Sequence, residues 1–239
     1  MRLTAIHTDL FSAREDLPAF IVRHIPHVQE GSILAVASKL LALWKGEAVP
    51  FQDEVQKEAL IKRESEWALK TKLAWLTVKD GMVMTNAGID ESNTGGKLLL
   101  LPANCYGYAE QLRRELQKKW QVKKLGVVIT DSMILPLRSG VIAGAVAYAG
   151  FNGVRDERGK KDLFGRPLKV TFVNIADSLA TAAALEMGEC AEARPLCMIE
   201  DARVNFVDTI VTNEIKYPMK DDLYAPLFKA AGYIEKGEK

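Results

Sequence analysis

Two periodicities alternate along this chain: short unbroken apolar blocks, and longer stretches in which apolar residues recur every three or four positions. The blocks at 3–6 and 32–37 ("SILAVA") predict short buried strands, with a helix between them from about Glu15 to His24. Ser12, three residues before Glu15, offers a capping box for that helix. The charge-dense run from Asp53 to Thr71 reads as an exposed helix, with Glu54, Glu58 and Lys62 spaced by four. "LAWLTVKDGMVMTN" predicts a hairpin turned on Lys79-Asp80-Gly81, because Asp-Gly favours the primed turns that match strand twist. Over Tyr106–Trp120, Tyr108, Leu112, Leu116 and Trp120 share one helical face.

Further along, 124–132 ("KLGVVITDS") reads as a buried strand ending abruptly in polar residues. The small-residue block 139–150 fits either a strand in a crowded sheet or a tightly packed helix, with strand favoured for its second half. A strand is expected over 168–176 and an amphipathic helix follows, with Ala176, Leu179, Ala180, Ala183, Ala184 and Met187 on one face, stopping at Gly188. "PLCMIE" is a last strand ending near Glu200, and a terminal helix is expected around Asp222–Ala231. The order is α+β, mixed sheets with packed helices, not a βαβα alternation.

Composition narrows the class. At 239 residues, 48% hydrophobic and 26% charged, the chain is long enough for one large domain or two small intertwined ones. A net charge of +1 provides no global field for nucleic acid or acidic membranes, so an anionic ligand must be held locally. The start lacks the apolar core of a secretory signal, and no apolar run approaches the ~18 residues of a membrane span. Three cysteines (Cys105, Cys190, Cys197) without CxxC spacing argue against a disulfide framework, and a reducing cytoplasm is the expected compartment.

The stretch "TNAGIDESNTGG" (85–96) is longer and more polar than a reverse turn requires, and it carries Asp90, Glu91 and Asn93. Asp131, with Ser132 beside it, ends an apolar strand, and Glu189 follows a helix-ending Gly188. Hard oxygen donors of this kind suit Mg2+ or Mn2+. The competing reading makes Asp131-Ser132 a cap and Glu189 a solvated acid. Ser38 and Lys39 come straight off a strand, where a hydroxyl and an ammonium can meet a phosphate, although no Gly-rich P-loop exists in the chain. Arg138 is a candidate anion clamp. The charged run 155–166 ("RDERGKKDLFGR") reads equally well as a solvated loop.

As an ordered set, "NAGIDESN" (86–93), "GVVITDS" (126–132), "RSGVIAGAVAYAG" (138–150), "GKKDLFGRPLKVT" (159–171) and "IADSLATAAALEMGE" (175–189) resemble the coenzyme F420-0:γ-glutamyl ligase family. The likeness is strongest over 30–200 of a single 1–239 domain, with 201–239 as a C-terminal extension. It implies an intertwined α+β homodimer that uses GTP or ATP to join L-glutamate to a carboxylate substrate, either F420-0 or a pterin- or folate-type acid. It further implies two divalent cations, Mg2+ or Mn2+, with K+ a further candidate. Asp90 and Asp131 would hold the first cation, Ser132 and Glu189 the second. Asp131 and Arg138 would take part in catalysis, while Ser38, Lys39, Asn93, Met187, Glu189 and Arg194 would contact the nucleotide. The chain departs from the family pattern at Ala42-Leu43, at Ile134-Leu135 and at "TDLF" (8–11). A non-catalytic nucleotide-binding homologue is the reading from another class.

Overall fold

The computed structural model describes residues 1–209, 212 and 214–233. Parts of the proposed C-terminal extension, 210, 211, 213 and 234–239, lie outside them. In chain order the strands and helices are β1 (Arg2–Ile6), α1 (Leu17–His24), β2 (Ser32–Ala37), α2 (Ser38–Lys45), β3 (Ala48–Pro50), α3 (Glu54–Glu64), β4 (Trp67–Lys70), β5 (Trp75–Lys79), β6 (Met82–Thr85) and β7 (Lys97–Leu99). They continue with α4 (Cys105–Trp120), β8 (Leu125–Ile134), β9 (Val141–Ala149), β10 (Val154–Asp156), β11 (Phe172–Asn174), α5 (Ile175–Met187), β12 (Leu196–Glu200) and α6 (Ala225–Ala230). Mixed α+β architecture is what the pattern predicts. Contacts group the chain into two compact units: Met1–Ala48 with Leu99–Glu214, and Val49–Leu98 with Ile215–Lys239.

The first unit is built on a five-stranded sheet in the order β1-β12-β2-β8-β9. Only β2 and β8 run parallel; the other pairs are antiparallel. The central β2 is wholly buried from Ile33 to Val36, as a strand covered on both faces must be. α5 packs along β9, β8, β12 and β1, and α4 packs on β8 and β9. The β8–β9 hairpin carries a bulge between Ile129 and Thr130, where Val146 of β9 is the extra residue. β9 is an edge strand, and α5 occupies its outward backbone groups. Ala145 N–H donates to Asp177 (2.8 Å) and the Thr181 hydroxyl donates to the Ala143 carbonyl (2.6 Å).

An arm leaves this unit between β9 and α5. Its base is Gly153, whose N–H donates to Glu214 (2.6 Å) and whose carbonyl accepts from Ile175 and Ala176. A Cβ there would lie 2.2 Å from the Tyr148 ring, so the backbone approach requires glycine. β10 and β11 pair from Val154↔Asn174 to Asp156↔Phe172. At the tip, Asp162 accepts from the N–H groups of Phe164 and Arg166, while Leu163 and Phe164 project fully into solvent.

The second unit holds the antiparallel sheet β4-β5-β6. Asp80 and Gly81 both adopt positive φ (51° and 73°), the primed turn that Asp-Gly predicts. The buried Thr77 hydroxyl donates to Met84 O (2.7 Å) and accepts from Ala87 N (2.8 Å), fixing the chain beyond β6. Val78 packs with Met219, Ala225 and Tyr233, against which Trp67 and Phe228 lean.

Several expectations are corrected. α1 starts later than the Ser12 capping box implies: Glu15 does accept from Ser12 N–H (3.1 Å), but the cap is Asp16, accepting from Ala19 N–H, with Pro18 in the first turn. The helix expected to Thr71 stops at Glu64, because 67–70 finds a pairing partner in β5, Trp67 opposite Val78. The strand expected over 168–176 narrows to β11, since Leu168 is bonded back to Lys160 and Gly159. The block 139–150 is strand from Val141, and β8 runs on through its polar end to Ile134.

Candidate functional site

Three segments meet at one end of the five-stranded sheet, and backbone bonds fix them. Thr8 N–H donates to Ala193 O and Ala37 N–H to Pro195 O, each at 2.9 Å. These join the 8–11 loop, the start of α2 and the 187–194 loop. Ser38, the first residue of α2, is nearly buried, and its hydroxyl donates to Asp131 (2.9 Å). Ala37, the residue before α2, supplies no side-chain cap.

A second pair lies beside the first. The Ser132 hydroxyl donates to Glu189 (2.8 Å). Successive strand residues face opposite sides, so Asp131 and Ser132 direct their oxygens away from each other. Asp131 stands opposite Gly144 in the β8–β9 register, and Ser132 opposite Ala143. Thus Asp131 is gathered with Ser38, and Ser132 with Glu189, in two separate hydroxyl–carboxylate pairs.

The 85–96 segment belongs to the second unit. Asn86, Ala87 and Gly88 all take positive φ (53°, 56° and 69°), an uncommon run for non-glycine residues. Asn86 accepts from Trp75 N–H (3.0 Å), which pins the bend to β5. Asp90 accepts from both the N–H and the hydroxyl of Ser92 (2.7 and 2.8 Å). Glu91 pairs with Lys57 (2.9 Å), and Asn93 is exposed at positive φ (55°). The segment is therefore an internally braced loop.

The remaining candidates are spread along the first unit. Lys39 follows Ser38 in α2 and is half-buried; Met187 is buried at the end of α5; Arg194 is half-buried before β12. Arg138 is exposed in the turn beyond β8, where Ile134 alone stands ~10 Å past Asp131 at a rise of ~3.4 Å per residue. Glu192, covered by the sequence only as part of the segment 187–194, accepts from Cys190 N–H (2.8 Å), and its carboxyl would lie 2.4 Å from any Cβ at Gly188. Sequence reading passed over Asp177, whose signal is its place three residues after Asn174. Asn174 accepts from Asp177 N–H (3.0 Å) and donates to its carboxylate (2.6 Å).

Both pairs offer oxygen donors alone. Among the described residues no group of three or more His, Cys, Asp or Glu side chains stands ready for an ion. One carboxylate and one hydroxyl per position fit a cation that keeps most of its water or takes phosphate oxygens, the habit of Mg2+. Asp131, Ser132 and Glu189 therefore suit such an ion.

A mixed sheet with hydroxyl–carboxylate pairs where β2 and β8 end and where α5 gives way to a loop defines an α+β protein with an oxygen-lined site. The chain belongs to the F420-0:gamma-glutamyl ligase family, whose profile matches residues 5–201. It is similar to a coenzyme F420:L-glutamate ligase of Methanocaldococcus jannaschii, 34% identical over 197 residues, 75% of this chain and 79% of that protein. A protein of the same name from Methanopyrus kandleri is 33% identical over 197 residues, 74% of this chain and 77% of the other. With that of Methanococcus maripaludis the identity is 45% over 130 residues, 54% of this chain, and the match spans about half (52%) of that relative's length. Among the described residues no helix is long and apolar enough to cross a membrane.

Proposed function

We propose that this protein is a cytoplasmic, nucleoside triphosphate-dependent ligase that joins the amine of L-glutamate to the carboxylate of F420-0. The observation that carries the reading is the pairing of Ser38 with Asp131 and of Ser132 with Glu189 at adjacent residues of one strand. Both pairs fall inside the stretch that matches the family.

A carboxylate is a poor electrophile. One of its oxygens attacks the γ-phosphorus of GTP or ATP, the bond to the β-phosphate oxygen breaks, and the nucleoside diphosphate leaves. The glutamate amine attacks the acyl carbon, loses a proton, and expels phosphate. Mg2+ or Mn2+ ions bound at the site would neutralise charge on the attacking and leaving oxygens.

The chain's own residues position these groups. Asp131 would help hold one ion, and Ser132 with Glu189 the other. Ser38 orients Asp131 from a nearly buried position. The start of α2, with Lys39, favours phosphate through its positive dipole end. The 187–194 loop, including Met187 and Arg194, would contact the rest of the nucleotide. Arg138 would draw the anionic substrate toward this end of the sheet. A homodimer is supported by the exposed apolar arm tip at Leu163 and Phe164 and by Leu135 and Leu137 beyond β8.

The test offers purified protein Mg2+ or Mn2+, GTP or ATP, L-glutamate, and F420-0 or dihydropteroate in turn. Phosphate release that requires F420-0, with one glutamyl unit added by mass, is the expected result. Release only with dihydropteroate reassigns the acceptor, and none with either removes the ligase reading.

A further inference from the structure

A groove of about 670 Å3 runs between the outer edge of β9 and α5, wholly inside the first unit. Its volume falls within the ~300–1,000 Å3 typical of small-molecule sites. One end is closed by Glu189, the residue bonded to Ser132. Ala143, Ala182 and Gly188 keep the walls close to the backbone, while Val141 and Leu185 (47% and 84% exposed) stand as lips.

The polar groups along the groove are committed elsewhere. The Asp177 carboxylate accepts from Ala145 N–H and from Asn174 Nδ2. The Thr181 hydroxyl donates to Ala143 O, and the Ser178 hydroxyl donates to Asn174 O (2.6 Å). What is left facing the ligand is mostly apolar, with only acceptor oxygens of Asp177, Ser178 and Thr181 between the apolar groups and Glu189 at one end. A purine base is recognised through donors and acceptors along its edge, and the hydroxyl donors of these walls are already engaged. A flat, largely uncharged ring system fits better, with its acid group reaching the Ser132–Glu189 pair, whose oxygens would hold an ion that offsets its charge.

We propose that the β9–α5 groove seats the ring system of the carboxylate substrate, and that Ala182 and Leu185 help decide which acid the enzyme accepts. This assignment rests on the ligase reading above. It places the ring away from the start of α2, where the phosphates would lie.

Ala182→Trp fills the slot, and Leu185→Glu sets a like charge beside the anionic substrate. F420-0 affinity is read from the change in its own deazaflavin fluorescence, nucleotide affinity from a fluorescent GTP analogue with Mg2+, and mass from sedimentation. Both variants should weaken F420-0 binding and raise its KM by at least about tenfold, with nucleotide affinity held within twofold and mass unchanged. Loss of nucleotide affinity with F420-0 binding intact would show that the groove holds the base. A change in mass with F420-0 binding retained would show that a second copy covers it. Unaltered affinity throughout also overturns the assignment. Leu185 is exposed, so Leu185→Glu carries the test if Ala182→Trp fails to fold. Wild-type protein that neither binds nor glutamylates F420-0 removes the ligase reading and the groove assignment together; wild-type ligation with an unchanged F420-0 KM in the variants removes the groove alone.

Discussion

Ser38 and Asp131, 93 positions apart in the sequence, are joined by one hydrogen bond of 2.9 Å. The donor sits on the first turn of a helix and is only 6% exposed, so it can hold the carboxylate in one orientation. Ser38→Ala should reduce apparent Mg2+ affinity by about 10- to 100-fold, the usual effect of losing a partner that orients a ligand. Turnover measured against Mg2+ concentration checks this, and Ser38→Thr should restore most of it. An unchanged Mg2+ dependence would mean that Asp131 is oriented without Ser38.

Replacing the proposed ligands themselves should cost more. Lewis-acid stabilisation supplies several kcal/mol, so Asp131→Asn or Glu189→Gln should lower turnover about 100- to 1,000-fold. The melting temperature should shift little, because Asp131 is only half-buried and Glu189 stands exposed in a loop. Near-normal turnover in either variant removes that residue from the site.

A buried charge network lies inside α4. Arg113 forks onto Glu110 (2.7 and 2.9 Å), Arg114 adds a 2.5 Å bond, and Arg113 also meets Asp208 at 3.3 Å. Burial alone would raise the Glu110 pKa, but the bonds from Arg113 and Arg114 outweigh it and hold the carboxyl below its ordinary value. A depressed folded pKa gives stability that is present above the unfolded value of ~4.3 and is lost as pH falls through the folded one. Urea unfolding should therefore show wild-type protein losing stability below about pH 4 more steeply than Glu110→Gln. Arg113→Met, which leaves the buried carboxylate with Arg114 alone, should cost about 1–3 kcal/mol at neutral pH.

The thiols should separate by reactivity. Burial pushes the Cys197 thiol up to about 11, against a smaller opposing hydrogen bond from the Thr4 backbone, whereas Cys190 is exposed. At pH 8 a thiol reagent should label Cys190 in the folded protein and reach Cys197 only in denaturant, as peptide mapping would show. Early labelling of Cys197 would contradict its wholly enclosed position.

The arm tip tests self-association. Leu163→Lys with Phe164→Glu alters two fully exposed side chains and leaves the Asp162 turn in place. Light scattering should show a dimer becoming a monomer with an unchanged circular dichroism spectrum. A dimer that persists would exclude the tip from the interface.

The parts of this molecule legible in the sequence are those written locally. An apolar block followed by Ser38 or by Asp131-Ser132 marks a strand opening onto polar groups, and α5 carries its own periodicity and its glycine stop. What the sequence hides depends on distant partners. Residues 67–70 read as helix because β5, which turns them into strand, follows them in the chain. The packing of 215–233 was equally invisible, since Met219, Ala225 and Tyr233 find their apolar surface on Val78, far upstream. No local pattern joins Ser132 to Glu189; the family resemblance supplied that pairing, and the structure bonds the two side chains.

Asp131 and Ser132 are consecutive, so their Cα atoms stand ~3.8 Å apart whatever the rest of the molecule does. A site assembled from separate loops widens or narrows as those loops drift, whereas here a single peptide plane is the spacer. Thermal breathing of the sheet would carry the Asp131 and Ser132 backbones together, leaving the distance between their Cα atoms as constant as a covalent ruler.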